Sequence, residues 1–350
     1  MKTDKMLMIV WGYLGAVIGA GFASGQEIVQ FFVKCGPLGI WGVILAGLLF
    51  ALFGGGFLLW ATKNRLRNYQ TVLKELFGVN VSRVIDTALT IFLFLGICTM
   101  FSASGAVFYE HLYLSKETGI IAAYAGVLLL LIKGQKSLFS TYNLLVPLKI
   151  LLLLLVAGYA AFSKDTVLTG SIVSQDPWPL DVSHWVMASI LYVAYNFTLA
   201  IVVLAEYADV ADGRQSLTGG IAGGALLGFV ALISYLALSR YLPDVLNYEV
   251  PMLYIAGRIG VFTKIIYLLV LWLGILTTAL ANTFGFAQRL ADLTGLRFSV
   301  SLFLTVTLAL PLAFQSFSFL VAMVYPAFGI LGVIILGALL FRFVKEGFAR

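Results

Sequence analysis

The chain has 350 residues, of which 61% are hydrophobic and only 11% are charged. Soluble domains carry about 25% charged residues, so this composition excludes a soluble globular protein and predicts an integral membrane protein. The two cysteines and two histidines indicate neither a disulfide framework nor a metal site. A formal net charge of +6 does not indicate a nucleic-acid partner, because membrane topology explains the positions of the basic residues.

Long apolar runs alternate with short charged segments, and each run is near the roughly 20 residues that a helix needs to cross a bilayer. The ten predicted spans are 6–34, 38–61, 82–110, 118–132, 138–162, 184–208, 215–240, 262–287, 298–314 and 317–341. Most of the 22 Lys and Arg residues fall in alternate loops, which indicates the cytoplasmic side. Both termini are therefore predicted to be cytoplasmic in a multi-pass protein of the cell membrane.

The loops and the two halves complete the predicted organisation. Residues 62–81 mix basic and apolar residues at helical spacing, which predicts an interfacial helix on the cytoplasmic face. The outer loop 241–260 is expected to carry a short helix over the entrance. The predicted units are a first repeat at 1–162, an extracellular loop at 163–183, a second repeat at 184–341 and a cytoplasmic tail at 342–350.

The first apolar segment contains an unusual stretch from residue 15 to residue 27, with four glycines and the polar residues Ser24, Gln26 and Glu27. Glycine lowers helix propensity, and an ionisable side chain at bilayer depth indicates a functional site. We therefore expect a helix that breaks near Ile18–Gly21 and then resumes. The alternative is close helix packing, because small residues spaced by four are typical of membrane helix contacts.

Ten spans divide into five plus five, and an odd number in each half makes the second half run inverted. The sixth span then corresponds to the first, and its polar and aromatic patch at 192–198 predicts a second interrupted helix. The glycines at 54–56 in the second span likewise match those at 219–224 in the seventh. Paired interrupted segments favour a transporter site, although Asn196 could instead bond a neighbouring helix.

The stretch Gly-Ala-Val-Ile-Gly-Ala-Gly-Phe-Ala-Ser-Gly-Gln-Glu resembles the broken first helix of LeuT-fold transporters in the amino acid–polyamine–organocation superfamily. Within that superfamily the chain most resembles the YkvI-type family of predicted amino-acid permeases. The resemblance implies an all-α membrane protein with ten helices in a 5+5 inverted repeat, the first and sixth being broken. It also implies a secondary transporter of amino acids or small amines that is not an enzyme and needs no cofactor.

The resemblance further implies a substrate site between the two broken helices. Backbone amides from Gly21 onwards would bind a carboxylate, and carbonyls of Tyr195 and Asn196 would face the amino group. Side chains of the third, sixth and eighth spans would set selectivity, with Phe94 as a further candidate. The expected substrate-binding residues are Gly19, Gly21, Phe22, Ala23, Ser24, Gly25, Glu27, Cys98, Ser102, Tyr192, Tyr195, Asn196 and Phe197.

Two coupling ions remain open at this point. The family's sodium site matches carbonyls of Gly15 and Ile18, with Gly274, Thr277 and Thr278 in the eighth span. Oxygen-only ligands suit Na⁺ better than a transition metal. Alternatively, both threonines bond to their own helix carbonyls, as hydroxyl side chains in membrane helices do.

Lys149 favours a proton over sodium. It lies about twelve residues into the fifth span, roughly 18 Å deep at 1.5 Å per residue, and a buried lysine can load and release a proton. The sequence around Lys149 resembles the placement in proton-coupled members of the superfamily, where a lysine occupies the cation position. Glu27 could neutralise this lysine, contact a cationic substrate group or carry the proton itself.

Two other functional classes are alternatives to transport. Spore germinant receptor subunits resemble the same fold, so a receptor that senses amino acids without net transport is an alternative. An intramembrane enzyme ranks low, because the sequence offers no Ser/His or Asp/Asp pair at catalytic spacing. Uncoupled exchange is a further alternative to proton or sodium coupling.

Overall fold

The computed structural model describes residues 2–133, 136–163, 184–209 and 212–348. Every regular element in these ranges is helical. The α-helices are α1 (Lys2–Val17), α2 (Ala20–Ser24), α3 (Gln26–Phe31), α4 (Gly39–Lys63), α5 (Tyr69–Leu112), α6 (Lys116–Lys133), α7 (Lys136–Phe162), α8 (Trp185–Glu206), α9 (Gly213–Arg240), α10 (Pro251–Ile259), α11 (Val261–Thr294), α12 (Phe298–Ala313) and α13 (Phe317–Phe348). Short 3-10 helices lie at Val33–Leu38, Tyr207–Asp209 and Asp244–Asn247.

Each of the ten predicted apolar segments coincides with a helix or, at the N-terminal end, with a series of helices. In the described ranges, six helical stretches are long and apolar enough to cross a membrane. They are Val33–Lys63, Tyr69–Leu112, Trp185–Glu206, Gly213–Arg240, Val261–Thr294 and Phe317–Lys345. Three shorter apolar helices, Lys5–Val17, Val146–Phe162 and Phe298–Ala313, accompany them. The protein is therefore an all-helical multi-pass membrane protein.

The first segment is broken within the predicted stretch. Helix α1 ends at Val17, and Ile18 and Gly19 separate it from α2. Gly25 then separates α2 from α3 in a left-handed conformation with φ of 83°, which glycine adopts at no steric cost. The chain thus turns twice, and the five-residue helix α2 lies between the two turns.

The sixth segment differs from the prediction, because α8 is a continuous helix from Trp185 to Glu206. This range contains neither glycine nor proline, the residues that most readily interrupt a helix. Its polar side chains bond to the preceding turn of the same helix: Asn196 Nδ2 donates to the Tyr192 carbonyl at 3.0 Å and Thr198 Oγ1 to the Ala194 carbonyl at 2.7 Å. The expectation of a broken sixth helix is therefore wrong for this structure.

The glycines of α4 and α9 pack directly against each other. A Cβ atom added at Gly220 would lie against the backbone of Gly54, and one added at Gly228 against Gly47. Small residues let two membrane helices approach at their backbones. The matching glycines of the second and seventh segments therefore form a contact between these two segments.

Two peripheral segments follow the expected pattern. Asn68 caps α5, since its side chain accepts from Thr71 N at 2.9 Å. The helix then bends at Gly78, where φ is 74°, so a short helix over 69–77 precedes the long apolar part. Within residues 241–260, α10 (Pro251–Ile259) is the predicted short helix. The predicted extracellular loop lies, from residue 164 onwards, outside the described residues.

The short helix α10 is attached to the bundle at its N-terminal end. Glu110 accepts from the backbone N–H groups of Glu249, at 2.6 Å, and Val250. The Glu249 carboxylate in turn accepts from Phe317 N at the start of α13. Burial raises the pKa of the Glu249 carboxyl above its usual value, while the charge of Lys116 opposes that rise. Helix α10 is thereby held against α5 and α13 beside the broken first segment.

Candidate functional site

A buried carboxylate lies beside the double turn of the first segment. Glu27 is on α3, and only 4% of it is exposed. The Tyr195 hydroxyl of α8 donates a hydrogen bond to Glu27 Oε2. The other carboxylate oxygen faces Gly21 so closely that a Cβ atom added there would overlap it. Glycine at position 21 therefore makes the space that the Glu27 carboxyl group occupies.

Aromatic rings surround this carboxylate. The rings of Tyr195 and Tyr325 lie 4.9 Å apart, and those of Tyr192 and Tyr195 lie 5.7 Å apart. Phe31 of α3 stacks on Tyr195 with ring centroids at 5.7 Å. The buried Tyr192 hydroxyl has no hydrogen-bond partner among the described residues. We call Glu27, Tyr192, Tyr195, Tyr325 and Phe31 the carboxylate–tyrosine cluster.

A buried lysine is coupled to this cluster. Lys149 lies on α7 and is 8% exposed, and it interacts with Glu27 through charge. Its aliphatic chain packs beside Gly274 of α11, because a Cβ atom added at Gly274 would lie 3.6 Å from Lys149 Cδ. The structure thus places one buried acidic side chain on α3 and one buried basic side chain on α7, the latter beside α11.

The predicted sodium ligands lie around the same part of α7. Gly15 packs against Val146, one helical turn before Lys149. Thr277 Oγ1 and Thr278 Oγ1 both donate to the Gly274 carbonyl, at 3.0 and 2.9 Å. These bonds correspond to the alternative in which the threonines bond to their own helix.

Ile18, the remaining predicted sodium ligand, lies in the first break. Its N–H donates to the Leu14 carbonyl at 2.7 Å. The described part of the chain contains no group of three or more His, Cys, Asp or Glu residues that could hold a metal ion.

The polar groups of the double turn bond largely within the segment. Ser24 Oγ donates to the Gly21 carbonyl at 2.7 Å, Ala23 N donates to the Gly19 carbonyl, and Gly25 N donates to the Phe22 carbonyl. Two of the amides predicted to bind a carboxylate, those of Ala23 and Gly25, are therefore engaged in the helix. Tyr267 of α11 donates to the Ala23 carbonyl at 2.6 Å, which ties α2 to α11.

The predicted contribution of the sixth segment takes a different form. Because α8 is continuous, Tyr195 reaches Glu27 with its hydroxyl group rather than with a carbonyl. The Asn196 amide bonds inside its own helix. Phe197 packs on the other side of α8 against Tyr13, with ring centroids 6.2 Å apart.

The selectivity candidates on α5 make contacts of their own. Cys98 Sγ donates to the Phe94 carbonyl at 3.3 Å, and the Phe94 ring packs on Phe286. Ser102 Oγ donates to the Gln315 carbonyl at 2.6 Å. These contacts do not connect the α5 candidates to the carboxylate–tyrosine cluster.

Two residues of the candidate site were not predicted from the sequence. Tyr325 of α13 and Tyr267 of α11 both contact the first segment or its partners, yet each is a single tyrosine in an apolar run. The one available signal was the proline that follows Tyr325 in the middle of α13, because proline removes a backbone hydrogen bond from a helix.

Comparison with known proteins finds curated proteins that are similar to this chain in sequence. No family model matches the chain. YkvI, an uncharacterised membrane protein of Bacillus subtilis (strain 168), is 29% identical over 331 residues, covering 94% of this chain and 93% of YkvI. YyaD of the same organism is 26% identical over 333 residues, covering 93% of this chain and 94% of YyaD.

Solved structures share the fold at low sequence identity. The inward-facing conformation of Mhp1 matches with a TM-score of 0.56 and 15% identity, covering 88% of this chain and 69% of Mhp1. A point mutant of the Eremococcus coleocola manganese transporter matches with a TM-score of 0.56 and 15% identity, covering 95% of this chain and 79% of that protein. The chain is thus similar to YkvI along almost its whole length and shares the fold of Mhp1, the LeuT-type fold that the resemblance of its first segment implies.

Proposed function

We propose that this protein is a secondary transporter that moves amino acids or related small amines across the cell membrane by alternating access. The observation that carries the proposal is the buried Glu27 carboxylate beside the broken first helix. An ionisable group inside a membrane protein is costly and marks a substrate or ion pathway. Mhp1 is a nucleobase-cation-symport-1 family transporter, and its shared fold supports transport rather than enzymatic catalysis.

The cluster suits the ammonium group of a substrate. Glu27 supplies the opposite charge, and the rings of Tyr195 and Tyr325 beside it supply faces that attract cations. A desolvated cation–π contact contributes about 2 kcal/mol or more. The unpartnered Tyr192 hydroxyl adds a hydrogen-bond acceptor. A small organic cation is therefore the occupant that this chemistry favours.

The membrane arrangement belongs to the same proposal. Ten spans form two inverted halves of five, with both termini in the cytoplasm and the loop at 163–183 outside. Of the two segments that correspond in the repeat, the first is interrupted, whereas α8 of the sixth is continuous and provides tyrosine side chains. No cofactor is required, because the ion gradient supplies the driving force.

We further propose that a proton, carried by Lys149, couples transport. Lys149 packs beside Gly274, which is also a member of the proposed sodium site. An ammonium group and a sodium ion about 4 Å apart repel by about 4 kcal/mol at an effective dielectric constant of 20. Sodium coupling through Gly15, Ile18, Gly274, Thr277 and Thr278 is the competing proposal.

The test of the substrate class compares three forms of one molecule. We expect an amino acid and its decarboxylated amine to raise the melting temperature of the purified protein, because both carry the ammonium group. The N-acetylated amino acid, which lacks that charge, should give no shift. A ligand at a concentration of 100 times its Kd raises the free energy of unfolding by about 2.7 kcal/mol. A thermal-shift screen of amino acids with different side chains detects a change of that size. Stabilisation by the N-acetylated form alone would contradict ammonium binding.

The coupling ion is tested by replacing Na⁺ with K⁺ at fixed pH. We expect substrate affinity to stay unchanged, and uptake into proteoliposomes to lose its pH dependence in Lys149→Ala. Thr277→Ala/Thr278→Ala should cause only a modest loss, since both hydroxyls bond to Gly274 of their own helix. A steep loss of affinity in K⁺ would instead support the sodium site and refute proton coupling.

A further inference from the structure

A second candidate site, which shares no residue with the carboxylate–tyrosine cluster, lies at the bend of α5. A cavity of about 200 Å³ opens there between the short helix at 69–77 and the long apolar part of α5. Its lining residues are Gln70, Leu73, Lys74, Ser82, Arg83 and Asp86. We propose that this cavity, called the elbow cavity, binds the phosphate of an anionic phospholipid.

The side chains around the elbow cavity carry a net positive charge. Asp86 pairs with Arg289 at 2.9 Å and accepts from the Tyr69 hydroxyl at 2.8 Å. The acidic neighbour of Lys74, Glu75, pairs with Arg342 at 3.3 Å. Lys74 and Arg83 form no ion pair within the described ranges.

Asp86 and Glu75 are thus each paired with an arginine. The positive charges of the exposed Lys74 and Arg83 remain without an acidic partner in the described ranges. The Gln70 amide on the same wall can donate a further hydrogen bond. Two cations and an amide donor around a small cavity fit a phosphate group.

The surface next to the cavity identifies the source of that phosphate. Immediately after the bend at Gly78, the apolar side chain of Val79 is 52% exposed, and it lies on the same side of the helix as the lining residues Arg83 and Asp86, four and seven positions further on. Together with Leu73, which lines the cavity, this exposed valine offers an apolar surface to an acyl chain. A lipid bound with its phosphate between Lys74 and Arg83 would lay its chains along this surface, whereas free phosphate would gain nothing from it.

The position is consistent with the predicted topology. The bend lies in the basic segment 62–81, whose charge bias indicates the cytoplasmic side. Basic pockets at the cytoplasmic ends of membrane helices bind anionic lipid headgroups. Because Arg289 of α11 holds Asp86 on one wall of the cavity, a lipid there would also contact the junction between α5 and α11.

The experiment measures lipid binding to the purified full-length chain by native mass spectrometry. Phosphatidylglycerol is the probe, and phosphatidylcholine of the same chain length is the comparison. We expect the chain to retain phosphatidylglycerol preferentially, and Lys74→Gln/Arg83→Gln to weaken that binding at least about tenfold. Both side chains are exposed, so the melting temperature without added lipid should stay unchanged.

The matched control also removes two positive charges, but at other positions on the predicted cytoplasmic face. Arg297 and Lys345 are exposed and lie outside the cavity, so Arg297→Gln/Lys345→Gln should keep the wild-type preference for phosphatidylglycerol. An equal loss in this control would overturn the proposal in favour of general surface charge. Competition by inorganic phosphate at the concentration of the lipid would overturn the assignment to a lipid. Neither outcome bears on amine transport at Glu27.

Discussion

Glu27→Gln is expected to weaken binding of an amine substrate by a factor of about 30 or more. Removing one partner of a buried, hydrogen-bonded charge pair costs about 2–5 kcal/mol, and each 1.4 kcal/mol corresponds to a factor of ten in affinity. Glutamine keeps the shape of the side chain and can still accept from the Tyr195 hydroxyl, so the variant removes mainly the charge. The measurement is a Kd from thermal shift or calorimetry, with the amine identified in the substrate screen.

Three further variants separate the charge from other effects of the substitution. Glu206→Gln makes the same chemical change at an exposed position at the end of α8, and it should bind the amine normally. Tyr195→Phe should give an intermediate loss, because it removes the hydroxyl and keeps the ring. Glu27→Gln/Lys149→Met removes both buried charges and should regain stability without regaining affinity. Wild-type affinity in Glu27→Gln would refute the assignment of Glu27 to the substrate ammonium.

The part of the site that is local in sequence was predictable. Four glycines within residues 15–25 lower helix propensity at one place, so a break was expected there, and the structure has it at Ile18 and Gly19. Glu27 stood out for a similar reason, because a carboxylate in an apolar run has a high desolvation cost. The positions of the helices followed from the lengths of the apolar runs.

The parts that depend on distant contacts were not predictable in the same way. The patch at 192–198 suggested a second break by symmetry with the first segment, yet local hydrogen bonds of Asn196 and Thr198 are satisfied within a regular helix. Tyr325 joins the cluster only because α13 packs against α8 and α5, and a single tyrosine carries no sign of that packing. Symmetry of pattern therefore did not predict the backbone of the sixth segment, which forms a continuous helix.

Gly21→Ala is expected to abolish substrate binding while leaving a folded protein in the membrane. A Cβ atom at this position would overlap Glu27 Oε1 and would lie 3.0 Å from the Tyr325 hydroxyl. The carboxyl group must then leave its place beside Tyr195 and Tyr325, so the variant displaces the charge that Glu27→Gln removes. Gly21→Val should have the larger effect, because its branched side chain fills more of the same space. Both effects are measured as the Kd for the amine.

Two glycines provide the comparison that this prediction needs. A Cβ atom added at Gly158 of α7 or at Gly19 meets no atom within 4 Å, so both alanine variants have open space. Gly158→Ala lies outside the double turn and should bind the amine with wild-type affinity. Gly19 lies in the break itself with φ of −77°, a conformation open to alanine, so Gly19→Ala tests the flexibility of the break without crowding Glu27. If Gly19→Ala and Gly21→Ala lose affinity equally, mobility of the break decides binding. If only Gly21→Ala loses it, the decisive feature is the space that Gly21 leaves for the carboxylate, which is the result we expect.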